Sequence, residues 1–187
     1  MKIHTQPSKV RDNQQERLDQ VPVNVSDDYL VGFVEGEGMF YIGIVPSKET
    51  KTGWQVIHFF KVSQNPSGKM ILEFFLKRFR CGYIKENSKN SPKDKSLAYV
   101  VRDFKSLRDT IIPFFNLKLV IKKDAFEKFK KIISIIDKKK HLTFLGIEEI
   151  IDLAYSMNTG KRRVFKEVIL KAYYDLESSQ AIRQIRK

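Results

Sequence analysis

The spacing of apolar and polar residues changes period several times along this chain, and each change marks an element. LVGFVEGEG, residues 30 to 38, is an apolar helical stretch. The helix is expected to begin near Ser26, a suitable N-cap, with Asp27 and Asp28 complementing the positive end of the dipole, and to run to about Glu37. MFYIGIV, residues 39 to 45, and WQVIHFFKVS, residues 54 to 63, read as a hairpin across the polar turn PSKETKTG. After the breaker NPSG, KMILEFFLKRF places Ile71, Phe75 and Phe79 on one helical face. CGYIKEN and SLAYVVRDF form a second strand pair across a lysine-rich loop, with SLRDTIIPFF as a short helix behind it. DAFEKFKKIISIID then carries a stripe of Phe126, Phe129, Ile133 and Ile136, and FLGIEEIIDLAYSM and VFKEVILKAYYDL read as two more helices. The expected class is α+β: residues 26 to 187 as one domain, its C-terminal helices from about 137, behind a flexible arm over residues 1 to 25.

Strand alternation assigns faces. Phe40, Ile42 and Ile44 face a core, leaving Met39, Tyr41, Gly43 and Val45 outward. By the same rule Gln55, Ile57, Phe59 and Lys61 face out on the second strand, Lys85 and Asn87 on the third, and Ala98, Val100 and Arg102 on the fourth. His58 falls on the core side with Phe60 and Val62, His141 is expected in solvent beside a lysine run, and His4 lies in the arm.

Composition narrows the partners. With 35 Lys and Arg against 22 Asp and Glu the net charge is +13, which favours a polyanion because each neutralised phosphate releases condensed counterions. At 42% hydrophobic with 14 Phe, the chain can fill a core. The single cysteine, Cys81, excludes an intramolecular disulfide and a four-thiolate zinc site, which points to a reducing compartment. No apolar run approaches the ~20 residues a membrane span needs, and the first twenty residues lack the apolar stretch of a signal peptide.

Against that basic background, Glu35 and Glu37 stand at the C-terminal end of the first helix, where the dipole disfavours negative charge. Gly32 and Gly36 lie on one face of the same helix, although glycine in a helix interior costs ~0.5 to 1 kcal/mol relative to alanine. Close packing of a second helix explains both: two copies packed through the glycines bring two Glu37 carboxylates together, and a divalent cation relieves their repulsion. Solvated helix-end charge is the plainer alternative.

This stretch resembles the LAGLIDADG motif of the homing endonuclease family, matching it at the first, third, eighth and ninth places with Leu30, Gly32, Glu37 and Gly38. Gln64 is similar to the glutamine that single-motif members place beside the scissile phosphates, and PFFNLK, residues 113 to 118, resembles the family's proline and aromatic followed by a lysine, here Lys118. One place departs: the basic residue expected four after the glutamine is Gly68. The resemblance implies an αββαββα core with a curved antiparallel saddle and extra C-terminal helices, and a homodimer joined through Leu30, Gly32, Phe33 and Gly36. It implies Mg²⁺ held by Glu37 and the Gly36 carbonyl, with Mn²⁺ substituting and Ca²⁺ binding without cleavage, and Glu37, Gln64 and Lys118 as catalytic residues. Double-stranded DNA would be read by Tyr41, Gln55, Lys61, Lys85, Asn87 and Arg102 in an A·T-leaning site and cut on each strand, promoting intron mobility in an organelle or a prokaryotic cytoplasm. An intron RNA maturase, or a DNA-binding regulator without chemistry, are the rival readings.

Overall fold

The computed structural model describes residues 25–87, 94–157 and 164–185, so His4 and all of the expected arm except Val25 lie outside the described residues. Helix α1 spans Asp27–Glu37, capped by the Ser26 hydroxyl, which accepts from the Tyr29 amide at 3.1 Å. It is followed by β1 (Gly38–Pro46), β2 (Trp54–Gln64), α2 (Lys69–Phe79), β3 (Tyr83–Glu86) and β4 (Leu97–Val101). A short α3 (Phe104–Ser106), a π-helical turn over Leu107–Ile111 and α4 (Ile112–Phe115) lead to α5 (Lys123–Asp137), α6 (Phe144–Met157) and α7 (Lys166–Ile185). The four strands form one sheet in the order β1-β2-β4-β3, with β4 antiparallel to both of its neighbours. The expected helix, hairpin, helix, hairpin, helix order is therefore present.

The described residues pack as two compact units, each discontinuous in sequence. One holds residues 25–39 and Phe60–Phe114. Its core is aromatic: Phe60, Phe75 and Tyr99 lie with ring centroids 5.9 to 6.4 Å apart, and all three are fully buried. Such pairs add roughly 0.5–1.5 kcal/mol beyond their area. On its surface Arg78 grips Asp27 through two hydrogen bonds of 2.7 and 2.9 Å, tying α2 to the start of α1, and this bond raises the Arg78 pKa.

The alternation rule needs one correction here. Ala98 and Val100 were expected to face outward, yet they are 0% and 1% exposed. The register explains it: Val100 lies between Lys61 and Tyr83, and Ala98 between Ser63 and Lys85. Residues opposite each other share a face, so these two do point to the outer side, on a strand flanked along both edges. An internal strand keeps its face and loses its exposure.

The second unit holds Phe40–Phe59 and the chain from Phe115. Phe40 centres it, with ring centroids 5.6, 5.1 and 5.5 Å from Phe115, Phe126 and Phe129. The α5 stripe is buried through Phe126, Phe129, Ile132, Ile133 and Ile135, while Ile136 is only half-buried, one position off the expected line. A cavity of about 650 Å³ in this unit is lined by Trp54, His58, His141, Tyr173 and Leu176 among others. His141 is thus half-buried, and the expectation that it is solvated is corrected: the turn after α5 carries it inward. No helix among the described residues is long and apolar enough to cross a membrane.

Burial lowers the pKa of both histidines, and the charge of His141 lowers that of His58 further. A lowered folded-state pKa favours the neutral ring, so the unfolded chain takes up protons first as pH falls below the ordinary histidine value of about 6.5. Their contribution to stability is therefore present above that pH and lost as pH falls through the folded-state values. Urea unfolding of the parent and of His141→Gln between pH 7.5 and 5 checks this: the parent should lose more stability on acidification than the variant.

Candidate functional site

Helix α1 passes into β1 with no residue between them, Glu37 closing one and Gly38 opening the other. Gly38 makes this junction possible. It is buried, its amide donates to the Val34 carbonyl, and a Cβ on it would lie 2.5 Å from Val34 Cγ1 and 2.8 Å from the Val34 carbonyl oxygen. Any other residue would have to push the strand off the helix end. Glu37 and Gly36 are consequently held exposed at the last turn, with Glu35 half-buried beside them and no basic residue in that turn. Carboxylates at the negative end of a helix dipole, with backbone carbonyls of the same turn, form a hard-oxygen donor set that fits a divalent cation such as Mg²⁺ or Ca²⁺. Among the described residues no three or more His, Cys, Asp or Glu gather to hold a metal. A cation placed at this helix end would need donors beyond the one Glu37.

The glycines of α1 face open space. A Cβ at Gly32 or Gly36 would meet nothing within 4 Å. Of the other residues expected on this face, Phe33 is half-buried, stacked on Tyr29 at 6.5 Å and against Phe75 at 6.2 Å. Leu30 is 1% exposed and belongs to the chain's own core, which corrects its place among the interface residues: it lies on the helix face turned inward with Val34.

Gln64 ends β2 and folds back, its Oε1 accepting from the Asn65 amide at 2.7 Å. This accounts for Gly68. A Cβ there would lie 2.5 Å from Gln64 Cγ and 3.0 Å from Cδ, so the glutamine side chain occupies the space that a larger residue would need. Neighbouring Lys69 pairs with Glu73 at 3.0 Å along α2. Lys118 stands in the other unit, exposed, its amide donating to the Phe115 carbonyl at 3.1 Å. Leu117 before it has φ of 62°, a left-handed conformation costly for a bulky residue, and Leu117, Val120 and Ile121 are 88%, 82% and 80% exposed.

The expected base-reading residues divide between the units. In the first, Lys61 donates to Asn87 Oδ1 at 3.1 Å, Asn87 donates to Ser96 Oγ at 3.1 Å, and Ser96 donates to Asp94 at 2.6 Å. Burial, then the charge of Lys85, lowers the Lys61 pKa. A polar chain therefore orients Lys61 and Asn87 before any partner arrives. Sequence reading found both residues and missed the Ser96 and Asp94 that position them, for which a Ser two residues after an Asp is a common turn signal. Arg102 is exposed one residue beyond the end of β4. In the second unit Tyr41 is half-buried and Gln55 exposed.

The chain matches the family model described as LAGLIDADG endonuclease over residues 30–133. It is 30% identical over 146 residues to the Neurospora crassa protein named "Probable intron-encoded endonuclease 2", covering 76% of this chain and 31% of that relative, so it spans about a third of that relative's length. Among solved structures it resembles the homing endonuclease I-TnaI at TM-score 0.71 and 30% identity, covering 80% of this chain and 99% of the other. It also resembles I-SmaMI bound to an uncleaved DNA target in the presence of calcium ions, at TM-score 0.68 and 28% identity, over 78% of this chain and 48% of that one.

The junction at Gly38 makes a prediction of its own. Gly38→Ala should lower the unfolding free energy by about 1–3 kcal/mol, the usual cost of overpacking a tight contact. Chemical denaturation measures it, and an unchanged midpoint would mean that Val34 yields freely.

Proposed function

This chain belongs to the LAGLIDADG endonuclease family, and on that premise we propose that it is a site-specific homing endonuclease acting on double-stranded DNA as a homodimer. The observation that carries the reading is the end of α1: two open glycines on one helix whose last turn holds Glu37 without a basic residue. A second copy packed on Gly32 and Gly36 covers the bare backbone and brings a second Glu37 alongside the first. The exposed Leu117, Val120 and Ile121 are further apolar surface that association would cover.

Glu37 and the Gly36 carbonyl of each copy would hold Mg²⁺, which when bound supplies Lewis-acid activation of water and stabilisation of the leaving 3′ oxygen. The chain's own residues do the rest. Lys118 offsets charge that develops on the phosphorane, and Gln64, seated over Gly68, orients water. The Lys61 and Asn87 chain, with Lys85, Gln55, Tyr41 and Arg102, holds the DNA. Mn²⁺ should substitute for Mg²⁺, and Ca²⁺ should support binding alone. The setting is a reducing compartment, an organelle or a prokaryotic cytoplasm, and the mobility of an intron is the biological outcome.

Assembly is tested first. Gly32→Leu should run as a folded monomer in light scattering, with its thermal unfolding near that of the parent, because inside one chain the added side chain meets open space. A persisting dimer refutes the interface. Chemistry is tested on a duplex recovered from a random library by binding in Ca²⁺. On that duplex Glu37→Gln should bind and leave both strands intact in Mg²⁺, and cutting at the parental rate would remove Glu37 from the site. Lys118→Met should slow single-turnover cleavage by about 10² to 10³ with little loss of affinity, whereas Arg102→Ala should lose affinity or base preference and keep its rate once bound. If Lys118→Met instead loses affinity and keeps its rate, the lysine docks DNA and takes no part in the chemistry.

A further inference from the structure

The cavity of about 650 Å³ in the second unit takes no part in the reading above. Three segments wall it: β2 through Trp54 and His58, the end of α5 and the turn after it through Ile136 and His141, and α7 through Tyr173 and Leu176. Trp54 and His58 lie four apart on their strand and so share a face, opposite the one that carries Gln55. Small-molecule sites are commonly of this size, with walls that are mostly apolar and a few placed polar groups.

The polar groups at the rim are largely committed within the chain. Thr50 Oγ1 donates to the Ser47 carbonyl at 3.3 Å and Thr52 Oγ1 to the Trp54 carbonyl at 3.4 Å, while Tyr173 pairs with the Thr52 side chain. His141 differs. Its ring bonds the backbone of Ile136, an interaction that favours the protonated ring and so runs to the carbonyl. Its Nδ1 is buried and has no hydrogen-bond partner among the described residues. The bond to Ile136 is therefore made by Nε2–H, and in the neutral ring Nδ1 is left as an acceptor. Burial, the larger effect, keeps the ring neutral. The carbonyl anchor also fixes the ring, so an acceptor of settled direction stands in an apolar-walled space.

We propose that this cavity binds a small, neutral, planar aromatic molecule bearing an N–H donor, of the indole type, with its N–H on His141 Nδ1 and its ring among Trp54, Ile136, Tyr173 and Leu176. An indole ring is a donor only, which suits a bare acceptor between apolar walls. Water suits it less, since a buried water needs two to four polar partners. An anion gains nothing from a neutral imidazole. A transition metal would take the imidazole, but no three His, Cys, Asp or Glu gather to hold one among the described residues. A ring seated here would join β2 to α5 and α7, stabilising the folded chain by mass action.

Indole and N-methylindole, which differ in that one donor, are titrated calorimetrically into the full chain at neutral pH. Indole should bind at one site and shift the side-chain N–H resonance of Trp54, the only tryptophan in the chain, in nitrogen-labelled protein. N-methylindole should bind about 5- to 150-fold more weakly, because it leaves the buried acceptor unpaired. His141→Phe, which keeps a ring and removes the acceptor, should bind both probes alike. Should that variant fail to fold, the two probes on the parent decide alone. Equal parental affinity for both, or indole binding that leaves the Trp54 resonance in place, overturns the inference. Stabilisation by Zn²⁺ that is lost in His141→Phe, without any response to indole, also overturns it, in favour of a metal site. None of these outcomes touches the endonuclease reading, which is tested separately by cleavage.

Discussion

The chain turns from helix to strand at a single residue without a side chain, and the site depends on that contact. Gly38 lies so close on Val34 that no Cβ fits between them. With no connecting loop, Glu37 has no segment in which to wander: its backbone is helical on one side and bound into a sheet on the other. Loops are where placement is ordinarily lost. On the proposed reading, an acid that would meet a cation within tenths of an ångström is instead mounted on two regular elements at once.

Glycine recurs at the other functional positions for different physical reasons. At Gly68 the absent side chain makes room for Gln64, and at Gly43 it makes room for the Tyr41 ring. At Gly32 and Gly36 an added Cβ would meet open space, and on the proposed reading it is a second copy that offsets the cost of glycine in a helix. The first kind of glycine tunes a site within one copy. The second points to assembly.

On the proposed DNA-binding reading, charge and apolar surface divide the labour of recognition. A net charge of +13 draws phosphate without regard to sequence. Discrimination needs groups held still, and the sheet supplies two kinds: a hydrogen-bonded chain from Lys61 to Asp94 in one unit, and a stacked aromatic pair in the other. Both have their geometry before a partner arrives, which reduces the entropy lost on binding.

Much of this was determined by the sequence alone, because it was carried by local rules. The cap at Ser26, the end of α1 at Glu37, the strand faces around Phe40 and Phe60 and the motif itself follow from spacing a few residues long. What only the tertiary structure decided involves distant partners. Leu30 sits in the motif yet turns to the chain's own core, and Ala98 and Val100 face outward yet lie covered because β4 is an internal strand. His141 follows a lysine run yet lines a cavity with His58. The meaning of Gly68 and Gly43 was equally hidden, since a glycine in a sequence states that a side chain is absent, and only the fold shows what occupies its place.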